Sequence, residues 1–158
     1  MCWLSSCAAV QVRIEHLRGT NFRFYRTFRV AEGRILLDEH AVTREMTEDQ
    51  IARVISNQLQ LIGLSEDGEH PDLLIRFIAA ARTPEGLAVE ELGGQWSGHL
   101  YRSWWARPSG GSGQFLALEL LDGRTEQPVW RAVCQAPYTD VEDFVREAVT
   151  RAFARYPP

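Results

Sequence analysis

The side chains of this sequence that could do chemistry are few, and their spacing decides what each permits. Its histidines, His16, His40, His70 and His99, form no i,i+4 pair of the H-E-x-x-H kind. Its cysteines, Cys2, Cys7 and Cys134, give no C-x-x-C step. Zinc needs three or four such ligands brought together, usually from closely spaced pairs, so no metal and no cofactor is expected. Ser97 lies between Gly94 and Gly98 but outside a G-x-S-x-G elbow, the strained turn that exposes a nucleophilic serine. A small soluble enzyme with a site near Ser97 and His99 is therefore the alternative reading, set against Ser97 as a turn serine. Gly110 to Gly113 matches neither phosphate-binding pattern, and a phosphate loop of the G-K-[ST] type is impossible in a chain without lysine. Glu90-Glu91 suits a solvated edge, and Asp140, Glu142 and Asp143 suit a helix N-terminus; catalytic carboxylates would need burial to raise their pKa values.

Two features carry more. Trp96, Tyr101, Trp104 and Trp105 stand among glycines with neither a helical nor an alternating period. Core packing accounts for such a segment, and so does an exposed platform for a protein, peptidoglycan or lipid partner, because aromatics dominate interface anchors. At the other end of the chain, Leu4-Ser5-Ser6-Cys7 resembles the bacterial lipobox, whose small residues admit the signal peptidase and whose cysteine sulfur takes the lipid. A secretory signal also needs a basic stretch and an apolar stretch of about 7–15 residues, and only six residues precede Cys7. The expectation is thus a true start upstream, with residues 1–8 the remnant of a lipoprotein signal and tether. Its alternative is a chance match in a cytoplasmic interaction domain.

Composition bounds the rest. The 158 residues are 45% hydrophobic and 24% charged, with net charge −4, the usage of an ordinary globular chain. All 17 basic residues are arginine and they are scattered along the sequence, where a nucleic-acid surface would want a basic stripe. No nucleic-acid partner is expected.

The elements that must position these groups follow from period and caps. Val10, Val12 and Ile14 alternate with Gln11, Arg13 and Glu15, as a half-buried strand does. Gly19 to Asn21 turns the chain. Phe22 to Val30 reads as a second strand with Phe22, Phe24, Phe28 and Val30 on one face, and Glu32 to Thr43 as a loop. Thr47-Glu-Asp-Gln50 is a capping box; Ile51, Val54, Ile55, Leu59 and Ile62 follow at helical spacing, and Gly63 stops the helix. Leu73 to Ala79 is a strand. Residues 83–113 predict one or two irregular strands and a Gly/Ser tip. Phe115 to Leu121 and Val129 to Ala136 form a hairpin around Asp122-Gly123, with Trp130, Ala132 and Cys134 facing the core. Arg131 is expected to pair with an acid across it, a contact worth little if exposed. Thr139 to Glu142 is a second capping box, opening a helix with Val141, Phe144, Val145, Ala148, Val149, Ala152 and Tyr156 on its buried stripe.

Several of these segments match a known family in order. Asn21-Phe22 through Tyr25, Thr27 and Phe28 resembles the Asp-Phe-x-x-Tyr-x-Thr-Phe signature of the bacterial lipoprotein family called domain of unknown function 4136. Pro71 to Leu74 resembles that family's central strand, Leu118 to Asp122 with Val129-Trp130-Arg131 its hairpin, and Arg155 to Pro158 its aromatic-Pro-Pro end. Position 21 departs, being Asn where the family has Asp. The resemblance implies an uncharacterised envelope lipoprotein on the periplasmic face of the outer membrane, anchored through a lipidated Cys7 and acting as a non-enzymatic binding or scaffolding module. The architecture expected is a single α+β domain over residues 9–158. It has a mostly antiparallel sheet of four to six strands, with two amphipathic helices packed on one face.

Overall fold

The computed structural model describes residues 10–36, 46–82, 113–137 and 140–157. Their elements are β1 (Gln11–His16), a 3₁₀ turn (Phe22–Phe24), β2 (Thr27–Leu36), α1 (Glu48–Leu61), β3 (Ser65–Glu66), β4 (Leu73–Arg82), β5 (Gly113–Asp122), β6 (Pro128–Ala136) and α2 (Val141–Phe153). The six strands form one sheet in the order β1-β6-β5-β4-β2-β3. From β1 to β4 the pairings are antiparallel, while β2 lies parallel to both β4 and β3. The sheet is therefore mixed. A parallel neighbour requires a crossover connection, and α1 lies within the one that returns the chain from β2.

Both helices are closed by local chemistry. Thr47 Oγ1 accepts the Gln50 N–H while the Gln50 side chain accepts the Thr47 N–H, so the first turn's orphan donors are satisfied reciprocally. At the far end Gly63 takes φ +100°, and the bonds Gly63 N–H to Gln60 C=O and Leu64 N–H to Leu59 C=O close the helix in a Schellman motif. α2 starts one residue later than the spacing predicts. Asp140, rather than Thr139, is its N-cap and accepts the Asp143 N–H at 2.9 Å; Thr139 lies outside the described residues.

One face of the sheet meets both helices. Ile51, Ile55 and Leu59 of α1 and Phe144, Val145, Ala148, Val149, Ala152 and Phe153 of α2 share a single buried cluster with Phe28, Ile75, Phe77, Leu118 and Trp130. Trp130 is 1% exposed and stacks on Phe153 with ring centroids 5.2 Å apart. Gly33 on β2 leaves room for the Phe77 ring, which a Cβ there would strike. Cys134, wholly buried, lies with its thiol 3.6 Å from the Ala148 carbonyl. The opposite face of the central strands is buried as well: Leu74, Ile78, Phe115, Ala117 and Leu121 are all below a tenth exposed. Burial on both faces explains why β4 and β5 read as continuous apolar runs.

Three expectations are corrected. Phe22 to Val30 is not one strand, because the 3₁₀ turn at Phe22–Phe24, capped by the Asn21 side chain, resets the alternation. Phe22 and Phe28 are buried, whereas Phe24 is 76% exposed. Glu32 to Leu36 is strand rather than loop, continuing β2 past a bulge after Val30; its polar look comes from Glu32, which sits 3.1 Å from Arg34 and 3.7 Å from Arg76. Ile62 is half-exposed just past the end of α1.

Arg131 pairs across the hairpin, as its position opposite Glu119 in the register dictates. The contact is not a weak surface one, since its 3.1 Å N–O distance joins side chains only 7% and 3% exposed. Removing one partner of a buried ion pair takes away the charge that compensates the other. Arg131→Met should thus cost about 3–5 kcal/mol in urea unfolding. The double variant Glu119→Leu/Arg131→Met should recover most of that loss, and a double variant no better than the single one would refute the account.

Candidate functional site

A polar cluster forms where three chain segments meet at one pole of the sheet. The segment 21–27 leads into β2, residues 71–73 open β4, and residues 122–127 turn the β5–β6 hairpin. Asp72 ties the first two. Its Oδ2 accepts the backbone N–H groups of Arg26 at 2.8 Å and Thr27 at 3.0 Å, while its own N–H donates to Thr27 Oγ1 at 2.9 Å. The Asp72 carbonyl then accepts the Gly123 N–H at 2.7 Å. Only glycine fits at 123, because a Cβ would collide with the Pro71 carbonyl oxygen.

Asp122 ties the third segment to the first. Its Oδ1 accepts the N–H groups of Arg124 and Thr125 and the Thr125 hydroxyl, and its Oδ2 accepts the Tyr25 hydroxyl at 3.0 Å. Beside this clamp lies an open recess of about 250 Å³. Leu17, Phe24 and Val129 supply its apolar walls, and Asn21, Tyr25, Asp122 and Arg124 its polar ones.

The electrostatics argue against acid–base work there. Burial, then the hydrogen bond and charge of Asp122, push the Tyr25 hydroxyl up to about 12, against the lowering effect of Arg124. Burial alone would raise Asp122, but the donated hydrogen bonds from Thr125, Arg124 and Tyr25 outweigh it and hold the carboxyl below its ordinary range. A tyrosine that keeps its proton and a carboxylate that sheds its own are both poorly matched to proton transfer near neutral pH. The groups are spent on each other. What the pole offers a partner is shape, an exposed phenyl ring and a rim of polar groups.

Asn21, Phe22, Tyr25, Thr27, Asp72 and Asp122, scattered over the motifs of the sequence, are thus brought together. Sequence spacing identified Asp122 as a turn former but missed its bond to Tyr25, 97 residues away, and the Asp72 clamp. Cys7, Trp96, Ser97, His99, Tyr101, Trp104, Trp105, Glu90 and Glu91 lie outside the described residues. His16 and His70 are exposed, and no group of three potential metal ligands occurs among the described residues. No described helix is long and apolar enough to cross a membrane.

Comparisons with known proteins agree with this architecture. The family described as Domain of unknown function (DUF4136) matches residues 12–158. A crystal structure of a DUF4136 family protein from Bacteroides thetaiotaomicron superposes with TM-score 0.59 at 17% identity, covering 94% of this chain and 96% of that one. A PDZ domain protein from Parabacteroides distasonis gives 0.56 at 14% identity, over 95% of this chain and 37% of its own. A leucine-to-methionine variant of the PelC dodecamer from Paraburkholderia phytofirmans gives 0.51 at 10% identity, over 92% and 95%. At these identities the likeness is one of fold. No curated protein matches the chain.

Asp122 contributes to the pH response, beside Asp67, whose carboxyl the backbone N–H groups of Glu69 and His70 also hold low. A carboxyl whose folded pKa lies below its unfolded value of about 3.9 contributes stability above that value, and the contribution is lost as pH falls through the folded pKa. Asp122→Asn should therefore flatten the acid limb of a stability–pH curve measured by urea unfolding. Tyr25→Phe, which deletes one charge-assisted bond, should cost about 1.5–3 kcal/mol at pH 7. An unchanged acid limb in Asp122→Asn would dismiss the carboxylate as the organising group.

Proposed function

This chain belongs to the DUF4136 family, a domain of unknown function, and from that premise we propose that it is a cell-envelope lipoprotein. In this reading it is held on the periplasmic face of the outer membrane by a lipid on Cys7 and acts as a non-enzymatic binding or scaffolding module. The observation that carries the anchor is the position of Cys7 behind Leu4-Ser5-Ser6 and three residues before Val10, which is already buried in the core. Three residues of fully extended chain span at most about 11 Å. A lipid on Cys7 would therefore hold the domain close against the headgroups, with the sheet end carrying Gln11, Ala136 and Gly113 nearest the membrane.

The clamp pole would then face away. β5 runs from Gly113 to Asp122, about 30 Å at strand rise, so the recess beside Phe24 would be presented to the periplasm. The binding half of the reading is supported by that placement and by a polar cluster whose carboxylates are consumed in holding the chain. Trp96, Tyr101, Trp104 and Trp105 belong to this proposal as further partner-binding aromatics for an envelope protein or peptidoglycan. Two or more acyl chains give stable anchorage where one gives only reversible binding.

The gene expressed with its upstream codons in a Gram-negative host should incorporate labelled palmitate and fractionate with the outer membrane. Cys7→Ala should abolish both. An intact gene product that takes up no label, with the protein expressed and folded, rejects the anchor.

A further inference from the structure

Among the described residues β1 ends the sheet, pairing with β6 alone, and an edge strand displays free N–H and C=O groups to any passing strand. The register says which groups those are. Leu17 N–H donates to the Val129 carbonyl at 2.8 Å, and backbone groups of an antiparallel strand alternate in direction. Glu15, Arg13 and Gln11 therefore bond inward to β6, and the groups of His16, Ile14, Val12 and Val10 point outward. Two of those outward carbonyls are occupied. Arg151 Nη1 donates to Val10 O at 3.5 Å and Arg155 Nη1 to Val12 O at 3.3 Å. Arg151 comes from the last turn of α2 and Arg155 from the turn just past its end, and Glu147 pairs with Arg151 at 2.7 Å.

From this geometry we propose that Arg151 and Arg155 guard the β1 edge against pairing with a second copy of the chain. The occupant is specified by charge and by register. In a two-fold antiparallel pair centred on Ile14, the outward groups of Val12 and His16 meet those of His16 and Val12 in the other copy. Arg13 then falls opposite Glu15 on both sides, an attractive cross-strand pairing. Centring the pair on Arg13 would instead oppose two arginines. The favoured register needs the Val12 carbonyl to accept the other copy's His16 N–H, and that carbonyl is the one Arg155 holds. A lipid anchor would concentrate copies in two dimensions and sharpen the need for such a guard, but the proposal stands without one.

The full chain, kept reduced so that cysteines cannot cross-link it, is compared with Arg151→Ala/Arg155→Ala by light scattering after size exclusion. The double variant should show twice the mass of the wild type, increasingly so with concentration, with its far-UV circular dichroism retained. Adding His16→Pro removes an outward N–H that β6 does not use, and should return the double variant to the wild-type mass; in the wild-type background it should change nothing. A folded double variant of wild-type mass overturns the proposal, as does a dimer that survives His16→Pro. Should the double variant not fold, Arg155→Ala alone frees the Val12 carbonyl and must show the same doubling at higher concentration.

Discussion

The packing of Trp130 organises this domain. Its indole lies between the hairpin that carries it and the helix that covers it, stacked on Phe153 and edge-on to Tyr156 at 6.1 Å. The contact does not stop there. Tyr156 meets Phe22 at 5.5 Å, Phe22 meets Tyr25 at 6.0 Å, and the Tyr25 hydroxyl donates to Asp122 at the turn of the same hairpin. One line of rings thus runs from the last helix through the segment before β2 and returns to the strand pair it began on. Aromatic pairs each add about 0.5–1.5 kcal/mol beyond their buried area, but the larger consequence is geometric. Segments from both halves of the chain are fixed relative to each other by side chains with little freedom to repack.

That line explains why the polar pole is built as it is. The chain arrives there in three irregular pieces, and irregular backbone leaves donors that must be satisfied. Asp72 and Asp122 satisfy them, accepting backbone N–H groups from their own and neighbouring segments. The aromatic line brings Tyr25 to within bonding distance of Asp122, and Gly123 lets the hairpin turn approach Pro71. Each carboxylate is therefore already coordinated by the protein. With both carboxylates so engaged, the pole presents the exposed ring of Phe24 beside exposed polar groups of Asn21, Arg124, Thr125 and Gln127.

How much of this could be read from the residues depends on whether the deciding contact is local. α1 was legible to its capping box, because Thr47 and Gln50 sit three residues apart and Gly63 marks the stop. The β5–β6 hairpin was legible because its turn and its alternation are contiguous, and Trp130 fell on the predicted face. The parallel pairing of β2 with β4 was not, since nothing in either strand names its neighbour. Phe24 was assigned to the core because alternation was carried through a 3₁₀ turn that a polar cap at Asn21 creates. The burial of Arg131, like that of Glu119, was not legible, because it depends on the second face of the sheet. The clamp was legible only as a set of motifs: its residues were singled out, but their partners lie 45, 46 and 97 residues apart.

The same logic bears on the margins of the sheet, where the fold must end without inviting another chain. Among the described residues one edge, β3, consists of two residues, too short to template a neighbour. The other, β1, is six residues long and needs a different device, which the helix packed beneath it can provide. α2 buries one stripe against Trp130 and the sheet, while Arg151 in its last turn and Arg155 just past its end reach the edge. Helix packing and edge protection are thereby one arrangement, because the rotation of α2 that places Phe153 on Trp130 also sets where its arginines fall. A change that rotated α2 would expose the strand at the moment it loosened the core, so the two properties should be lost together.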